Sequence, residues 1–171
     1  MNITKFSVSA LAIAVTFAVM PARAAQGDNT FVNKAAEGGM AEVQLAQLAQ
    51  TKAQSQAVKD LANTLYNDHT KANEMLKSIA SKDNITLPTS MDAKSQAEYN
   101  RLQGLSGADF DREFVKHAIK DHKEDINVFQ REVNHGTNSD VKNWASQNLP
   151  KLQEHLRMAE NAHQQLMNNN K

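Results

Sequence analysis

The sequence predicts an all-α protein: a bundle of four long helices with one long crossover between the second and the third. Three observations carry this. Apolar residues recur at spacings of three and four rather than two, the period of a helix with one buried face. Gly and Pro, the usual interrupters of regular structure, number only 6 and 3 in 171 residues. The apolar pattern falls into four long stretches separated by two short breaks and one long one.

The first stretch is expected over residues 29–51, with Asp28 as its cap, and the second over 56–82, with Ser55 at its N-cap. The third is expected over 107–134. Ser106 followed by Asp109 has the spacing of a capping box, and Gly136 stands where a left-handed C-terminal residue is favoured. The fourth is expected over 139–168, capped by Asn138 or Ser139, and the polar end Asn168-Asn169-Asn170-Lys171 is expected to fray. Short links make the first and second stretches antiparallel, and likewise the third and fourth. The link from Asp83 to Leu105 is far longer, contains Pro88, and can form a short helix over residues 92–103. A 27-residue helix is about 40 Å long, a distance such a link can cross. The alternative is an up-down-up-down bundle with a decorated loop.

The N-terminus predicts export. Lys5 precedes an apolar run from Phe6 to Met20, and Pro21-Ala22-Arg23-Ala24 ends in small residues at the A-x-A spacing. The run is shorter than the roughly 20 residues that span a bilayer, so a cleaved leader over residues 1–24 is expected, without a transmembrane segment in the mature chain. A single domain over 25–171 then remains. The expected compartment is the periplasm, with outer-membrane association as a further option. Lys+Arg and Asp+Glu are equal at 19 each, and removing Lys5 and Arg23 leaves a net charge of −2; nothing favours a nucleic-acid partner. The absence of cysteine excludes disulfides, thiolate ligands and a cysteine nucleophile. No nucleotide-binding glycine loop or serine nucleophile elbow is present.

Each long stretch carries one metal-capable residue on the centre line of its apolar face. At 100° per residue, Leu65, Ala72 and Leu76 fall within about 60° of His69. Val115, Ala118, Ile126 and Phe129 do the same around His122, and Trp144, Leu152, Ala159 and Ala162 around His155. On the first stretch, Phe31, Ala35, Leu45, Ala46 and Ala49 surround Glu42. The four residues lie within about two positions, roughly 3 Å of rise, of their helix midpoints. If the helices are in register, they meet in one layer. Three arrangements fit: a layer binding a transition metal (zinc, iron or manganese) through Glu42, His69, His122 and His155; a metal-free polar network that fixes register; or a rotation that takes some of the four to solvent. An acid precedes each histidine: Asp68, Asp121 and Glu154. These point about 100° away, toward a neighbouring helix whose histidine they can orient, unless they are merely solvated. His117 and His163, at the stripe edges, are spare ligands; His135, near a helix C-terminus, suits the surface. Tyr66 is a candidate core hydrogen-bonding group, and Glu37 and Glu113 are weaker second carboxylates.

The stretches FVNKAAEGGMAEVQLAQLA, VKDLANTLYNDHTKANEML, FDREFVKHAIKDHKEDINVF and NLPKLQEHLRMAE together resemble the bacterial exported proteins of domain-of-unknown-function family 4142, in the ferritin-like superfamily. The resemblance spans nearly all of the mature chain. It implies a ferritin-like four-helix bundle outside the cytoplasm, and no established activity. Di-iron members of the wider group carry Glu on two helices and Glu-x-x-His on the other two. Glu42, His69 and His155 match that pattern, but Tyr66 and Leu152 replace the Glu of each Glu-x-x-His, and His122 stands where a carboxylate is expected. A di-iron oxidase centre is therefore not expected. The two functions left open are transition-metal binding for envelope metal handling or stress protection, and a non-enzymatic envelope protein, binding a protein partner, whose polar layer is structural. The sequence does not define an oligomeric state.

Overall fold

The computed structural model describes residues 22–168, with side chains from Gly27 onward. Residues 1–21 of the leader expected over 1–24, and residues 169–171 of the expected frayed end, lie outside the described residues; Asn168, also expected to fray, is helical. Five helices follow in order: α1 (Ala22–Lys52), α2 (Gln56–Lys82), α3 (Ala93–Gln103), α4 (Gly107–His135) and α5 (Ser139–Asn168). No helix among the described residues is long and apolar enough to cross a membrane.

The connectivity follows from what meets at each end. At one end, Asp111 near the start of α4 accepts the backbone N–H groups of Gln54 (3.1 Å) and Ser55 (2.7 Å), in the turn between α1 and α2. At the other, Asp28 near the start of α1 accepts the N–H groups of Thr137 (3.1 Å) and Asn138 (2.7 Å), in the turn between α4 and α5. There too the Asn138 amide donates to Asp83, at the end of α2 (2.7 Å). Thus α2 ends at the Asp28 end and α4 begins at the Asp111 end. Residues 83–106 must traverse the bundle, and α2 and α4 run parallel. This is the ferritin-like four-helix bundle with one long crossover. The crossover packs Ile85 and Leu87 at one end of the core and Tyr99, Leu102 and Leu105 at the other.

Helices α2 and α5 occupy the expected spans, and Asn138 caps α5 through its side-chain oxygen, which accepts from Asp140 (2.9 Å) and Val141 (3.1 Å). Asp92 caps the crossover helix in the same way. Three local expectations are corrected. Asp28 does not cap α1; the helix begins at Ala22, because the Asp28 carboxylate serves the opposite turn. Ser106 makes no side-chain cap bond, since Gly107 next to it takes φ +62° and turns the chain away from that geometry; Asp109 pairs with Arg112 instead. Gly136 is not left-handed (φ −58°). It is glycine because a Cβ there would lie 2.2 Å from Oε1 of Glu132 and 2.6 Å from its carbonyl oxygen. Pro150 lies inside α5. It removes one helical N–H on an exposed face, where water can take the freed carbonyl.

The core is two apolar clusters with a polar layer between them. One gathers Leu45, Leu61, Leu65, Phe110, Phe114 and Val115 with Leu102 of the crossover. The other gathers Phe31, Val32, Leu76, Phe129, Val141 and Trp144. Phe31 packs edge-on against Phe129, with ring centroids 5.0 Å apart, and Trp144 donates its indole N–H to the carbonyl of Ala72 (3.2 Å). Along each long helix, the gap between the clusters is where Glu42, His69, His122 and His155 fall.

Candidate metal centre

Helical spacing builds the layer. His69 sits one turn from both Leu65 and Ala72, His122 one turn from Ala118, and His155 one turn from Leu152 and Ala159, all buried. Burying those apolar partners forces the imidazoles inward. His69 is 7% exposed, His122 1% and His155 2%. Their ring centroids are 5.6 Å (His69–His122), 5.3 Å (His69–His155) and 5.3 Å (His122–His155) apart. One ring nitrogen from each lies within 4.8 Å of the others. An ion with metal–nitrogen bonds near 2.0–2.1 Å holds its nitrogens about 3.3 Å apart in a tetrahedral set, so small side-chain rotations would close the site.

For His122 and His155 the other ring nitrogen shows where the proton sits. Nδ1 of His122 lies 2.9 Å from the carbonyl oxygen of Ala118. A carbonyl only accepts, so Nδ1 holds the proton and Nε2 keeps its lone pair. Nε2 of His155 lies 2.9 Å from Oδ2 of Asp68; the carboxylate accepts, and Nδ1 of His155 is the bare nitrogen. Nε2 of His122, Nδ1 of His155 and Nε2 of His69 are all buried without a hydrogen-bond partner. Leaving a buried polar atom unpartnered costs about 1–3 kcal/mol, and three such atoms sit in one layer. Burial holds all three rings neutral near pH 7. It pushes His69 well below its ordinary value, reinforced by His122 and His155, and takes His122 down to about 4. His155 is lowered less because Asp68 opposes the burial. Neutral imidazole is the form that donates to a metal.

Asp68 thus reaches from α2 across to α5 and orients the histidine there, the role open to it from the sequence. The other two acids behave differently. Glu154 pairs with Arg157 on the surface. Asp121 gathers with Glu42 and His117, one ligand-capable atom from each lying within 4.8 Å of the others. Glu42, placed by the sequence in the same layer, is buried at 2% exposure, and its neighbours are this second group rather than the three rings. Burial, and then the nearby Asp121, raises its carboxyl well above the usual range. His135 is exposed, Tyr66 packs beside the apolar cluster of Leu61, Leu65 and Phe110, and Glu113 pairs with Arg101 and Lys116 at the surface.

The three-histidine centre borders a cavity of about 160 Å³ lined by Gly39, Asp68, His69, Trp144, Asn148 and His155, among others. Gly39 lets the Asn73 side chain pack close to α1: a Cβ there would lie 2.0 Å from its Oδ1 and would displace that side chain. Sequence reasoning missed Asn148, buried one turn from Trp144, whose carbonyl its side-chain amide donates to (2.8 Å). It also missed Asp28 and Asp111 as clamps on the opposite turns. Asp111 had a visible signal, an acid in phase with Val115 and Ala118 on the apolar stripe.

A family model described as a domain of unknown function, DUF4142, matches residues 15–162. The chain belongs to the DUF4142 family. No curated protein matches it. Among solved structures, this DUF4142 chain is similar to the crystal structure of a DUF305 fragment from Deinococcus radiodurans. The TM-score is 0.73 at 15% sequence identity, over 81% of this chain and 96% of that one. At that identity the likeness shows the fold alone: the helical bundle is shared.

Proposed function

We propose that this DUF4142 protein is an exported metal-binding protein of the cell envelope, holding one transition-metal ion through His69, His122 and His155, in the service of metal handling or stress protection. The observations that support this are three buried rings from three helices that bring one nitrogen each within 4.8 Å of the others, and a buried, unpartnered nitrogen on each ring. Asp68 and the Ala118 carbonyl fix the protons of His155 and His122 on the opposite side, the outer-shell arrangement that presents a ligand lone pair. Three neutral imidazoles favour zinc, and also suit iron. The 160 Å³ cavity beside His69 and His155 leaves space for water or a small ligand at a fourth position. Export rests on the leader expected over residues 1–24. The reading assigns no oxidase turnover, because Tyr66 and Leu152 occupy the positions where a second metal's carboxylates would stand.

A second reading is a metal-free polar layer in a structural envelope protein. It is favoured by the ring packing: His122 meets both other rings edge-to-face, at interplanar angles of 74° and 78°. The deciding experiment is elemental analysis of untagged protein purified from the periplasmic fraction. About one equivalent of metal, lost in His69→Ala and His122→Ala, supports binding. Protein that is metal-free as isolated, takes up no zinc or iron on titration, and melts at the same temperature with or without chelator would establish the structural layer instead.

A further inference from the structure

A second group of ligand-capable side chains lies outside the three-histidine centre, formed by Glu42 on α1 with His117 and Asp121 on α4. His117 and Asp121 are four residues apart and so share one helix face. Nε2 of His117 is 3.9 Å from Oε1 of Glu42, while its Nδ1 is 3.6 Å from Oε1 of Glu98 on the crossover helix α3. The ring therefore lies between two carboxylates, one behind it and one in front, both beyond direct hydrogen-bond distance. Oε1 of Glu42 is buried without a hydrogen-bond partner, on a residue only 2% exposed. A carboxyl group that deep, with an orphaned oxygen, needs either a proton or a cation to settle it.

The group sits at the wall of a large cleft of about 880 Å³ between α1, α3 and α4, which Glu98, Arg101 and Asp125 also line. The cleft exists because α1 and α4 touch sparingly and the crossover helix roofs the space between them. It gives a wider approach, and room for more coordinated water, than the cavity of about 160 Å³ beside the three-histidine centre.

We infer that Glu42, His117 and Asp121 form a second divalent-cation site, opening to this cleft and distinct in ligand chemistry from the three-histidine centre. Two carboxylates and one imidazole form a harder donor set than three imidazoles, suited to manganese(II) or iron(II) with water completing an octahedral shell. Glu98 is the outer carboxylate that orients the His117 ring. Asp121 and His122 are consecutive on α4, so a single helix serves both sites with adjacent residues. The inference does not depend on an ion at the three-histidine centre, since the two groups share no ligand.

The test is manganese(II) titration of the full-length mature protein followed by electron paramagnetic resonance, with pulsed measurements for nitrogen coupling. One bound manganese with a single coupled histidine nitrogen is expected. Glu42→Gln and Asp121→Asn should each weaken manganese binding about a hundredfold, and His117→Gln should abolish the nitrogen coupling. His69→Ala should remove zinc binding at the other centre and leave the manganese signal intact. Wild-type protein that binds no manganese at millimolar concentration would overturn the inference and leave Glu42 and Asp121 sharing a proton. So would a signal unchanged by Glu42→Gln and Asp121→Asn, or one showing several coupled nitrogens. Because the wild-type titration and its nitrogen count stand alone, a variant that fails to fold does not rescue the idea.

Discussion

Replacing His122 by glutamine in metal-stripped protein should change how stability depends on acidity. His122 is 1% exposed, and burial lowers it to about 4 from an ordinary 6.5. In the unfolded chain it takes up a proton near pH 6.5; in the folded protein it resists until about pH 4. The folded state therefore binds fewer protons across that window, and stability falls as pH falls from 6.5 toward 4. A difference of 2.5 units at 1.36 kcal/mol each, taken from pH 7 to pH 4, amounts to about 3 kcal/mol. For a domain of this size that is roughly 6–12 °C in Tm. Other groups act in the opposite sense: burial raises both Asp125 and Glu132 to about 7, and each adds stability as it is protonated. The whole-protein curve mixes these, so the quantity to follow is the difference between wild type and His122→Gln. Urea unfolding at half-unit steps from pH 7 to pH 4, in chelator, should show wild type losing about 3 kcal/mol relative to the variant. A flat difference would mean that the ring is solvated, and the argument for a dry central layer would fail.

Three further outcomes are expected. Zinc binding at pH 6 should release well under one proton, because the rings are already neutral; three ordinary imidazoles would release about two, and calorimetry in buffers of different ionisation enthalpy distinguishes these. Asp68→Asn keeps every ligand but loses the carboxylate that orients His155, and should weaken zinc about 10- to 100-fold in chelator competition. At the end of α4, burial, and then the negative charge of nearby Asp28, favours the protonated form of Glu132 up to about pH 7. Its contribution is present below the unfolded value near 4.5 and is lost as pH rises through 7, so Glu132→Gln, a permanent mimic of the neutral acid, should be more stable than wild type at pH 8 and close to it at pH 5 by thermal melting.

The fold was legible because helical periodicity and loop lengths are local properties. Residues 56–82 and 139–168 were readable to the residue, since Ser55 and Asn138 punctuate long uninterrupted stripes. The inward direction of His69, His122 and His155 was legible for the same reason. The position of Glu42 relative to the rings was not, since it depends on how α1 sits against α4 across the cleft that these helices line with α3. The reach of Asp68 to His155 could be anticipated only as a direction. Asp28 was misjudged because a carboxylate near the start of a helix looks the same in sequence whether it caps its own N–H groups or those of a turn 109 positions away.

Asp28 and Asp111 have a consequence for how the molecule comes together. Each belongs to one hairpin and completes the bend of the other, so neither half can finish its own reversal until the two have docked. Excised separately, each pair of helices would lack the acceptor for its bend. Unfolding should accordingly be a single all-or-none event, and the interior should not be reached by one hairpin swinging aside. Any ion destined for the centre must then travel through the openings already present between the helices.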